Sequence, residues 1–113
     1  MPPVYKLLRA AEWAAARGRE AFEGAPVDLA DGFVHFSTAA QVRETAARYF
    51  AGEAGLVLAE IDPARLPKPL AWEPSRGGEL FPHLYAALPL AAITRVWTLA
   101  VGPDGRHEFP PEL

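Results

Sequence analysis

The sequence predicts one α+β domain, a mostly antiparallel or split sheet carrying two helices. Three observations predict it. Strand-like apolar runs recur at residues 4–8, 33–36, 56–61, 80–85 and 93–101. Two stretches alone, residues 10–17 and 38–50, have the composition and spacing of helices. The 113 residues, half of them apolar, suffice for one moderate core, so residues 1–113 form a single domain.

Val4 to Leu8 reads as a strand with Lys6 inside it. Ala10 to Arg17 is rich in alanine, the strongest helix former, and Gly18 offers a stop. That short helix is expected to dock through Trp13 and Ala16. Phe22 to Ala30 contains Gly24 and Pro26 and is expected as a loop. After Asp31-Gly32 the chain reads as a strand through Phe36 and stops at Ser37-Thr38. Thr38-Ala39-Ala40-Gln41 has the pattern of a capping box. Val42, Ala46, Tyr49 and Phe50 then recur at helical spacing up to Gly52.

Leu56 to Ile61 is a strand closed by Asp62-Pro63. Three prolines at 63, 67 and 69 keep the next segment extended. A short strand around Trp72 leads to a Pro74–Gly78 turn. Leu80 to Tyr85 is strand-like but contains Pro82, which predicts an edge or a bulge. Ile93 to Val101 is the longest β-branched and aromatic run. Gly102-Pro103-Asp104-Gly105 turns the chain, and the tail beyond is expected to be extended or frayed.

Composition excludes several function classes. A net charge of −3 argues against an extended nucleic-acid surface, though not against a nucleotide in a pocket. With no cysteine, neither disulfides nor thiolate–metal sites can form. No apolar run approaches a membrane span and the N-terminus lacks a signal core, so a cytoplasmic protein with no membrane partner is expected. Phosphate-loop, Gly-x-Gly-x-x-Gly and Gly-x-Ser-x-Gly patterns are absent.

Candidate chemistry gathers in two segments. Gly32-Phe33-Val34-His35-Phe36-Ser37-Thr38 and Glu79-Leu80-Phe81-Pro82-His83-Leu84-Tyr85 each place a histidine in an apolar run. Imidazole exchanges protons near neutral pH, and two of them beside a glutamate and hydroxyls supply the parts of a small polar site. His35, Ser37, Glu79 and His83 are therefore expected to line one pocket. His35 also precedes a helix start, a place suited to anions. Arg76 is a phosphate candidate through its guanidinium fork. Trp72 and Tyr85 could stack on a base or ring. A two-histidine, one-carboxylate metal set from His35, His83 and Glu79 has no local spacing pattern behind it, and no metal is expected.

The motifs resemble those of the DUF952 family across roughly residues 4–101. They are Ala11-Glu12-Trp13, Asp31 through Thr38, Gln41-Val42, Phe81 through Tyr85, and Ile93-Thr94-Arg95-Val96. Ala86-Ala87 stands where the family has Gly-Pro. More distantly, His35-Phe36-Ser37 resembles the His-x-Ser/Thr motif of the ADP-ribosyltransferase superfamily, with Phe36 in place of the usual glycine. That resemblance implies an ADP-ribosyltransferase-like split sheet. It implies an NAD or ADP-ribosyl nucleotide as ligand, with NAD as substrate. His35 and Ser37 would hold the ribose, and Glu79 would stabilise an oxocarbenium-like transition state. His83 would act as acid, base or phosphate contact. The acceptor of any transferred ADP-ribose is not named by the sequence. An RNA 2′-phosphotransferase-like enzyme using Arg76 and Arg95 is the alternative within the superfamily. A non-catalytic module binding a small ligand or a partner is the alternative outside it.

Overall fold

Strand alternation sorts the chain into two packed layers of side chains. The computed structural model describes residues 1–113 except the side chain of Arg76. Strand β1 (Val4–Leu8) is buried along its whole length. It is followed by α1 (Ala10–Ala16), β2 (Ala21–Phe22), α2 (Pro26–Asp31), β3 (Val34–His35) and α3 (Val42–Tyr49). The second half contributes β4 (Val57–Ile61), β5 (Ala71–Pro74), β6 (Leu80–Leu84), β7 (Leu88–Pro89), β8 (Ile93–Thr98), β9 (Ala100–Val101) and β10 (His107–Glu108).

Every strand pair is antiparallel. One three-stranded sheet has the order β1-β4-β8 and a second the order β3-β6-β5; two-stranded ribbons pair β2 with β7 and β9 with β10. An isolated bridge links Tyr5 of β1 to Ser37, two residues past the end of β3. There the Tyr5 N–H donates to the Ser37 carbonyl at 2.8 Å, and the Ser37 N–H to the Tyr5 carbonyl at 2.9 Å. The two sheets are thus hinged at Tyr5 and Ser37 and diverge from that point.

Because successive side chains point to opposite faces, β1 and β4 feed two cores. Val4, Leu8, Val57, Ala59 and Ile61 pack with Phe22, Val34, Phe36, Leu84 and Leu88. Tyr5, Leu7 and Leu58 pack with Val42 and Ala46 of α3, Leu56 and Leu99. Burying both faces explains why these strands read as unbroken apolar runs.

Two differences from the sequence expectation have physical causes, and one open alternative is settled. There are three α-helices, not two: residues 26–31, expected as loop, form α2. Pro26 stands at a first-turn position, where a missing N–H costs nothing. The Asp28 carboxylate accepts the Ala25 N–H at 2.7 Å, and Gly32 ends the helix at φ 85°. Pro82 is not at an edge, since β6 is the middle strand of its sheet. Its carbonyl accepts the Phe36 N–H at 3.0 Å, so its missing donor lies on the β3 side, where β3 is already leaving to join β1. Lastly, of the two states expected for the tail, extended or frayed, residues 107–108 take the extended one and pair as β10 with β9. His107 is buried in β10, with Nε2 2.7 Å from the Glu53 carbonyl oxygen. The Thr38–Gln41 capping box forms as expected: the Gln41 side chain accepts the Thr38 N–H at 3.0 Å, and the Thr38 hydroxyl accepts the Gln41 N–H at 3.3 Å.

Candidate active site

The divergence of the two sheets opens a cleft of about 430 Å³ beside the hinge. His35, Ser37 and His83 all line it, together with Tyr5, Arg9 and Phe81. Antiparallel pairing of β3 with β6 sets His35 directly opposite His83. Their side chains therefore rise on the same face, with ring centroids 5.4 Å apart. Phe33, two residues before His35, stacks on the His83 ring at 4.1 Å and a 24° tilt.

The nitrogens of the two imidazoles are used differently. His35 Nδ1 lies 2.6 Å from Asp28 Oδ1, and Nε2 lies 2.9 Å from Asp31 Oδ2. Each carboxylate accepts, so both contacts together take the doubly protonated ring. Asp28 also accepts the His35 N–H at 3.0 Å and the Lys6 ammonium at 2.9 and 3.0 Å. Burial alone would raise the Asp28 pKa, but His35 and Lys6 outweigh it and hold the carboxyl down at about 2. Burial lowers the Lys6 pKa, with Asp28 working against that shift. The chain Lys6–Asp28–His35–Asp31 is a neutralised, fully paired network at the floor of the cleft.

His83 is buried to 4 % exposure, and its Nδ1 lies 2.7 Å from Glu73 Oε1. The Tyr85 hydroxyl donates to the same carboxylate at 2.8 and 3.0 Å. The bond from His83, aided by that from Tyr85, depresses the Glu73 pKa, and the bond to Glu73 raises that of Tyr85. With Nδ1 donating to Glu73, the neutral His83 ring has its lone pair on Nε2. Among the described residues it has no hydrogen-bond partner, and no buried side-chain nitrogen or oxygen is left unsatisfied. Nε2 is therefore open to the cleft that His83 lines.

Of the other sequence candidates, Ser37 lines the cleft and the rest of those described do not. Ser37 is in the cleft, but its hydroxyl is 3.0 Å from that of Thr45. Glu79 is not among the lining residues; its carboxylate accepts from Gln41 Nε2 at 2.7 Å, so the expected four-residue pocket holds three of its four members. Trp72 pairs with Pro82 and so points away from the His83 face. It lines a separate apolar groove with Leu66, Pro69 and Leu70, so the stacking on a ligand's base or ring expected of it does not fall in the cleft. Tyr85 is half-exposed and reaches the site through Glu73. The Arg76 side chain lies outside the described residues. Arg95 is occupied by Glu60 at 3.0 and 3.1 Å on the β4–β8 sheet, not in the cleft.

Asp28, Asp31, Glu73, Phe33 and Lys6 were missed. Asp31 and His35 are four residues apart, and Pro26 with Gly32 bracket a helix; those signals could have placed both aspartates. Glu73 carries no local signal, because its tie to His83 depends on the pairing of β5 with β6.

Such a layout defines a small α+β protein with two antiparallel sheets parted around an imidazole-lined cleft. The chain belongs to the DUF952 family, described as a protein of unknown function, whose model matches residues 7–96. The fold is similar to the crystal structure of protein CC0527 from Caulobacter crescentus, at 47% identity and a TM-score of 0.87, covering 94% of this chain and 93% of that one. The solution structure of CC0527 is similar at 48% identity and a TM-score of 0.82, covering 94% and 91%. No curated protein matches this chain.

Proposed function

We propose that the cleft binds an NAD-like or ADP-ribosyl nucleotide, in an ADP-ribosyltransferase-like split sheet. The observation that carries this reading is the parting of two antiparallel sheets at Tyr5–Ser37, with His35 and Ser37 on the strand at the parting. The cleft volume of about 430 Å³ lies in the range of ligand pockets. Its walls suit the parts of such a ligand. Tyr49, Phe50 and Phe81 on its walls bring apolar and ring surface beside which a base can lie. Arg9, half-exposed at the rim with its guanidinium 4.7 Å over the Phe50 ring, is paired with Glu53 at 3.2 Å and Glu12 at 3.8 Å, and would exchange those surface pairs for a pyrophosphate. Asp31, half-exposed on His35, can accept a ribose hydroxyl.

Arg95 does not line the cleft but pairs with Glu60 on the β4–β8 sheet, which weighs against the phosphotransferase alternative, since that needs its cations at the phosphate. Calorimetry with ADP-ribose and NAD tests the proposal. Micromolar binding that weakens in Arg9→Ala is the expected result. Absence of binding above about 1 mM, a limit near −4 kcal/mol, would overturn it.

A further inference from the structure

We propose that His83 Nε2 is the base that takes the proton from a hydroxyl acceptor of the ADP-ribosyl group, with Glu73 and Tyr85 as positioning residues. This rests on the nucleotide reading and names the acceptor class, an alcohol or water. Three observations carry it. Glu73 at 2.7 Å fixes the Nδ1–H, so the neutral ring presents its lone pair at Nε2. Phe33, stacked at 4.1 Å, holds the ring plane. Nε2 is the cleft-facing nitrogen without a partner, whereas both nitrogens of His35 are committed to aspartates.

The step balances without a redox partner. The acceptor oxygen forms a bond to the ribose C1 of NAD. The C1–N bond breaks, and its electron pair leaves on the nicotinamide nitrogen, so nicotinamide departs neutral. The hydroxyl proton passes to Nε2 and then to solvent.

The test combines histidine nitrogen spectra with nicotinamide release from NAD, in water and in dilute methanol. In the wild type at pH 8 the His83 Nε2 resonance should be that of an unprotonated nitrogen. Glu73→Ala should let the Nε2–H form appear and slow turnover at least tenfold, with ADP-ribose affinity unchanged. His83→Gln should lower turnover by about 10²–10⁴, and methanol should yield the O-methyl glycoside of ADP-ribose. A protonated Nε2 in the neutral wild-type ring, or His83→Gln turning over within threefold of wild type, would overturn the assignment. ADP-ribose binding without nicotinamide release, whatever the hydroxyl acceptor, would overturn it while leaving the nucleotide reading intact. Failure to bind ADP-ribose would remove both, and calorimetry identifies that case.

Discussion

His35 and His83 stand opposite each other in neighbouring strands, 5.4 Å between ring centroids, yet one ring is saturated and the other is not. His35 is clamped by Asp28 and Asp31, while His83 is held on one nitrogen by Glu73. The pair thus divides its labour: one imidazole ties helix α2 to the sheet, and the other is left with a nitrogen for chemistry.

The clamp should dominate stability. Lys6 and Asp28 are both buried and bonded at 2.9 Å. Asp28→Asn strands a buried ammonium and is expected to cost about 3–5 kcal/mol in urea unfolding. The double variant Lys6→Met, Asp28→Asn should recover part of that loss, because no buried cation then lacks its counter-charge. Strict additivity of the two single variants would contradict the network.

Acid should unfold the protein through the same carboxylate. The Asp28 pKa is depressed from its ordinary value to about 2, so its contribution to stability is fully present above about pH 4 and is lost as pH falls through about 2. The shift corresponds to stability on the order of 2 kcal/mol. Urea midpoints between pH 5 and pH 2 should fall steadily in the wild type, and the fall should be shallower in Asp28→Asn.

Gly24 supports this arrangement from behind. Its φ is +136°, and a Cβ there would meet the Asp28 Cβ at 2.8 Å. Gly24→Ala should therefore destabilise by at least about 1 kcal/mol and change the His35 ring resonances while leaving those of His107 unchanged. Unaltered His35 signals would show that Asp28 does not transmit the change.

Glu79 should prove dispensable for nucleotide binding. Its carboxylate is engaged by Gln41, whose amide also donates to the Leu80 carbonyl at 2.8 Å. Glu79→Gln is expected to shift ADP-ribose affinity by no more than about 0.5 kcal/mol, the scale of an ordinary surface change. A loss beyond tenfold, read by calorimetry, would restore Glu79 to the site.

What the sequence made legible follows from range. Local signals were sound: the β1 and β4 runs, the Thr38–Gln41 box and the Gly102–Gly105 turn all form. His35 and His83 were legible as a shared site because each sits in an apolar run where an idle imidazole would be costly. Partners set by strand register were not legible. Glu73 meets His83, and Trp72 is turned away from it, only because β5 pairs with β6 in the observed register. Asp28 was hidden for a different reason: Gly24 and Pro26 read as loop residues when Pro26 in fact opens α2.

The most direct measurement is a titration of the histidine ring nitrogens with ADP-ribose. The chain has three histidines, so the spectrum is simple, and His107, buried in β10, serves as an internal reference. The account predicts that the His83 Nε2 resonance moves saturably, that His35 responds as Asp31 turns toward the ligand, and that His107 stays fixed. If ADP-ribose at concentrations up to about 1 mM leaves His35 and His83 unmoved, or shifts all three rings alike, the cleft is not a nucleotide site.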